Sequence, residues 1–141
     1  MMPIPSYLKP LLVRLKAGTI VYKDRLEHRI IELSVAFAED YDDYRLSTRA
    51  FAGLVDYLES SPSFGYPDVT ATPDGGPYAE WRGSQGRLLT IEFLESGTAR
   101  YLLFRPNPKH PQIIDRLAGT TTTDALPETI ASLSLSTGLA A

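Results

Sequence analysis

The sequence contains no cysteine. That excludes disulfides, thiol nucleophiles and every cysteine-ligated metal site, and it is compatible with a reducing compartment. Histidine is nearly as scarce, with only His28 and His110, so a Ser-His-Asp arrangement has two candidate bases at most. No serine sits in G-x-S-x-G, no G-x-x-x-x-G-K is present, and Gly75-Gly76 is too short to cradle a phosphate. No apolar run approaches the roughly 18 residues that span a bilayer, and the first residues lack a signal-peptide core. A cytoplasmic protein is therefore expected. A large excess of one charge is also missing. Lys and Arg number 14 against 17 Asp and Glu, a net charge of −3 that gives no reason to expect nucleic acid.

What is present is ordinary globular material. The chain has 141 residues, 43% apolar and 22% charged; a domain of this size buries roughly 70% of its unfolded surface. A single domain over 1–141 is expected, and its character changes near Pro62: helical periodicity before, period-two alternation after. Helices are predicted over 6–16, with Ser6 as a cap, Pro10 near its first turn and Gly18 as a stop, and over 23–39, where Leu26, Ile30, Leu33 and Phe37 repeat at helical steps. Asp24 and Glu27 are expected in the first turn of this second helix. Ser47 is the predicted N-cap of a third helix through Leu58.

The second half reads as strands. Segments 68–72, 78–82, 87–94 and 98–105 are separated by Pro73-Asp74-Gly75-Gly76, Gly83-Ser84-Gln85-Gly86 and Ser96-Gly97. Residues 113–122 are expected to return as an edge strand with a bulge at Gly119, and Asp124 to cap a last helix over 124–135. The fold class is α+β: N-terminal helices packed on one face of a four- to five-stranded antiparallel sheet, with a short C-terminal helix. Leu26, Ile30, Phe37, Phe51, Leu54, Leu58, Trp81, Leu89, Ile91 and Phe93 are the expected core. Trp81, the only tryptophan, is read as a core anchor rather than an exposed hot spot.

Two charged stretches are candidate sites. The first is Glu39, Asp40, Tyr41, Asp42 and Asp43, with Tyr44 following. Carboxylates in such a run suit a hard cation, but the spacing is not that of a calcium loop, and a magnesium nuclease would need further acids such as Glu80 and Glu92. Charge runs are commonly just solvated. The interleaved tyrosines favour an acidic partner-binding surface over metal. The second stretch is basic: Arg82, Arg87, Arg100, Arg105, Lys109 and Arg116, opposed locally by Glu92, Glu95 and Asp115. Within it, Pro106, Pro108 and Pro111 hold an extended loop that displays Arg105, Lys109 and His110. Whether the arginines share one sheet face is open at this level.

The segments Pro73-Asp74-Gly75-Gly76, Glu80-Trp81, Leu89-Thr90-Ile91-Glu92-Phe93 and Gly97 with Tyr101 resemble a diffuse group of small uncharacterised bacterial proteins of mobile elements, sometimes placed near toxin–antitoxin or defence modules. The resemblance covers residues 67–104 and rests on a turn, a tryptophan and a hairpin. Related proteins often carry Trp-Asp-Gly where this chain has Tyr41-Asp42-Asp43. It implies no activity. The expectation is a non-catalytic protein-interaction module, antitoxin-like or accessory to a mobile element. It needs no cofactor or metal; its partner is another protein, with a homodimer left open. Partner contacts are assigned to Asp40, Tyr41, Asp42, Asp43, Arg105, Lys109 and His110. The alternatives are a small metal-dependent phosphodiester-acting enzyme using residues 39–43 and a DNA-binding accessory protein.

Overall fold

The structure, a computed structural model, describes residues 4–41, 44–61 and 65–134. A 3₁₀ turn over Ser6–Leu8 leads into α1 (Lys9–Ala17), α2 (Lys23–Asp40) and α3 (Thr48–Ser60). Strands β1 (Asp68–Ala71), β2 (Pro77–Arg82), β3 (Leu88–Phe93), β4 (Thr98–Pro106) and β5 (Ile114–Thr122) follow, and α4 (Leu126–Ser134) closes the described chain. The sheet is an antiparallel meander in the order β1-β2-β3-β4-β5. The α+β class and the helical layer on one sheet face are as expected. Among the described residues, no helix is long and apolar enough to cross a membrane.

Local chemistry explains where the helices begin and end. Ser47 caps α3: its hydroxyl accepts the Ala50 N–H at 3.1 Å, a bond that contributes about 1 kcal/mol. Ser6 does not cap. It opens the 3₁₀ turn, which has no side-chain capping bond, and α1 starts only at Lys9 with Pro10 in its tolerated first turn. Gly18 follows α1 as expected and returns its N–H to the Leu15 carbonyl. Glu27 lies beyond the first turn of α2 and instead meets Lys16 at 3.3 Å. Asp124 is no cap either. The Thr122 hydroxyl accepts the Ala125 N–H at 3.2 Å, and α4 begins at Leu126.

All ten expected core residues are buried. The inner sheet face adds Val69, Ala79, Ala99 and Leu103, and α1 adds Leu11, Leu12 and Leu15. Trp81 packs edge-on to Tyr57, with ring centroids 5.9 Å apart, and its indole N–H donates to the Gly65 carbonyl at 2.9 Å. Both demands of a buried tryptophan, apolar contact and a partner for its one donor, are met there. Gly119 is not a bulge. The β4–β5 register runs unbroken through Tyr101↔Gly119. The Tyr101 phenol lies across this glycine; a Cβ there would lie 2.5 Å from the phenol oxygen, and the ring would have to shift.

Three tyrosines make stability fall at alkaline pH. Burial, with Tyr66 adjacent, pushes the Tyr22 phenol from 10.0 up to about 12. Burial also raises Tyr57 and Tyr66. Below pH 10 the phenols are neutral whether the chain is folded or not, and their contribution is intact. Above pH 10 the unfolded chain sheds protons that the folded one keeps, so stability declines as pH rises towards 12. Urea midpoints at pH 8, 10 and 11.5 are expected to drop over this window. Tyr22→Phe is expected to drop less.

Candidate interaction surface

The two faces of the sheet differ sharply. Paired residues share a face, so the registers place Val69, Ala79, Trp81, Leu89, Ile91, Phe93, Ala99 and Leu103 together against the helices. The opposite, outer face carries three rows across β2 to β5: Arg82-Leu88-Phe104-Arg116, Glu80-Thr90-Leu102-Ala118 and Tyr78-Glu92-Arg100-Thr120. Among the described residues, no helix packs on this face. Leu88, Leu102 and Phe104 are half-buried, and Ala118 and Ile114 are exposed.

An antiparallel sheet with one solvated face alternates hydrophobic-in and polar-out. Strand β4 breaks that rule, since Leu102 and Phe104 project outward beside the inward Leu103. The result is an apolar strip ringed by charge. Arg82 Nε meets Glu80 Oε2 at 2.9 Å and Arg100 Nη2 meets Glu92 Oε2 at 3.4 Å. Exposed ion pairs of this kind contribute little to stability, but they fix the frame of the strip. Arg116, opposite Phe104, is exposed and has no ion-pair partner among the described residues.

The arginines divide between faces. Arg82, Arg100 and Arg116 coincide on the outer one. Arg87 folds back on its own turn, donating to the Ser84 carbonyl and to Gln85 Oε1 at 2.9 Å. Arg105, expected on display, points inward and donates to the Leu133 carbonyl in the last turn of α4. It ties a helix end to the sheet, where a cation also suits the dipole.

The proline loop is held by more than its prolines. Asn107 Oδ1 accepts the backbone N–H groups of Lys109 (2.8 Å) and His110 (3.0 Å), and Asn107 Nδ2 donates to both Asp115 carboxylate oxygens. The Asn107 N–H reaches the Ile113 carbonyl at 2.7 Å. Such an Asx turn fixes the loop and leaves Lys109 and His110 exposed beside the row that contains Phe104 and Arg116.

The acidic stretch lies elsewhere. Phe37, one turn before the end of α2, packs against Gly75 in the β1–β2 turn, at the sheet end opposite the β4–β5 loop. Glu39 and Asp40 are exposed there, and Tyr41 stacks on Phe37 with ring centroids 4.7 Å apart. Asp42 and Asp43 lie outside the described residues. The nine residues of β4 separate the two ends by about 27 Å. Asp40 and Tyr41 therefore do not share a contact surface with Lys109 and His110. Glu80 and Glu92, the acids a metal site would recruit, are engaged by arginines on the outer face. Among the described residues, no group of three His, Asp or Glu side chains is placed to hold a metal ion. No protein-family model matches this chain, and neither does any curated protein or solved structure.

Proposed function

We propose that the protein is a non-catalytic binding module that docks another protein on the outer face of its sheet. One observation carries the reading: Leu102 and Phe104 stand outward on a central strand where water-facing positions call for polar side chains. The three rows hold twelve positions; at about 4.8 Å between strands and about 6.7 Å between alternate residues they cover roughly 400 Å². A stable interface takes about 800 Å² per partner. The fixed loop with Lys109 and His110 extends the face towards that size. The uncompensated Arg116 and Lys109 suit an acid-bearing partner surface. An antitoxin-like inhibitor or accessory protein of a bacterial mobile element is the finer reading, and its support is the resemblance over residues 67–104. Asp40 and Tyr41, at the far end, are left out of this contact.

The test is a double substitution, Leu102→Glu with Phe104→Glu, in a tagged copy expressed in the organism that carries the gene. Both side chains are half-buried on a face that no described helix covers, so the variant should stay folded with a lowered melting temperature. A protein that co-purifies stoichiometrically with the wild type should be lost from the variant. Equal capture by a folded variant sinks the reading.

A further inference from the structure

The two edges of the sheet are treated differently. The β1 edge is four residues long, and Arg29 Nε donates to its Val69 carbonyl at 2.9 Å. The β5 edge is nine residues long. The ladder closes with the Asn107 N–H on the Ile113 carbonyl at one end and the Thr123 N–H on the Gly97 carbonyl at the other. Odd-numbered residues of β5 therefore direct their backbone groups to β4. The even-numbered ones, Ile114, Arg116, Ala118, Thr120 and Thr122, direct N–H and C=O to the free edge. None of these outward groups has a hydrogen bond from the described residues. Natural edges are blunted by proline, lysine, a bulge or a cover; β5 has no proline, no lysine and an unbroken register.

We infer that β5 pairs antiparallel with β5 of a second copy, with the two-fold axis at Ala118. This register uses all nine residues. It sets Ala118 opposite Ala118, Arg116 opposite Thr120 and Ile114 opposite Thr122 on one face, with Leu117 opposite Gly119 and Asp115 opposite Thr121 on the other. No charge meets its like, and small residues occupy the centre, where the strands must approach. Centring on Arg116 would oppose two guanidinium groups, and centring on Leu117 or Gly119 shortens the overlap. The product is a continuous ten-stranded sheet with the two outer faces side by side. The contact is made by backbone groups of β5 and does not depend on what docks on the outer face.

The chain has no native cysteine, so single cysteines report the geometry directly. In the proposed pair the two Ala118 Cα atoms lie about 5.5 Å apart, whereas the two Thr122 positions are about 27 Å apart. With a bis-maleimide crosslinker too short to join the two Thr122 positions, Ala118→Cys should form a covalent dimer and Thr122→Cys should not. Sedimentation of the purified wild type should show a dimer. Ala118→Pro removes an outward N–H without touching the β4 ladder, and it should weaken self-association by about 100-fold or more. A wild type that stays monomeric at several hundred micromolar overturns the inference. Equal crosslinking at both positions does so too. The outer-face substitutions at Leu102 and Phe104 should leave this dimer intact, so failure here and failure of partner docking are separate results.

Discussion

Trp81→Ala is expected to cost about 3–5 kcal/mol, the range for removing a large buried aromatic. Trp81 is 4% exposed on the inner face of β2. Its ring packs against Tyr57, which in turn lies 6.2 Å from Phe93. Alanine leaves a cavity between α3 and the sheet that the rigid strand cannot collapse to fill. The Gly65 carbonyl also loses the indole N–H, a loss of about 1 kcal/mol. Domains of this size have about 5–15 kcal/mol in total, so the variant should lose a substantial part of its stability and unfold at a clearly lower urea concentration. Urea unfolding followed by circular dichroism measures it, and Trp81→Phe should recover more than half of the loss. A Trp81→Ala protein within 1 kcal/mol of the wild type would mean that the ring is not buried.

The second large effect is expected at Gly76. Its backbone passes against the Phe93 carbonyl, and a Cβ at that position would collide with that oxygen and lie 3.4 Å from Ala50 of α3. The carbonyl belongs to the backbone of β3 and cannot rotate aside as a side chain would. The turn itself is held on α3 by the Ser47 N–H, which donates to the Gly75 carbonyl at 2.8 Å. Gly76→Ala is therefore expected to exceed the usual 1–3 kcal/mol of overpacking and to reduce the folded yield. Gly97→Ala is the control. It has φ +87° but its Cβ would meet only Arg49 at 3.8 Å, so it should cost about 1–2 kcal/mol for the left-handed conformation alone. Thermal melts of the two variants side by side give the comparison.

Much of this architecture was readable from residue order. Alternation of Leu89, Ile91 and Phe93 assigns β3 to a half-buried sheet, and Ser47 before an amphipathic run marks the start of α3. The surface was harder to read. The run Tyr101-Leu102-Leu103-Phe104 is apolar at both parities, so it does not say which residues face water; only the pairing to β3 and β5 places Leu102 and Phe104 outward. Arg105 looked exposed because it is charged and precedes a proline, but parity puts it inward, where Leu133 supplies an acceptor. Gly119 and Asp124 depart from their local patterns for a common reason. Each is set by a group that its own pattern does not show, the Tyr101 phenol across Gly119 in one case and the competing Thr122 hydroxyl in the other. The separation of the acidic and proline-rich segments follows from the meander and from the packing of α2, which no local pattern encodes.

Hydroxyl-radical footprinting of the protein with its co-purified partner tests the docking face most directly. Phe104, Leu102 and Tyr78 lie on the outer face, while Tyr41 and Tyr44 are exposed at the acidic end, Tyr44 at 69%. Both sets carry reactive side chains that can be compared in one digest. Labelling of Phe104 and Leu102 is expected to fall several-fold in the complex while Tyr44 labels as in the free protein. Protection of Tyr41 and Tyr44 with Phe104 labelled as in the free protein would contradict it.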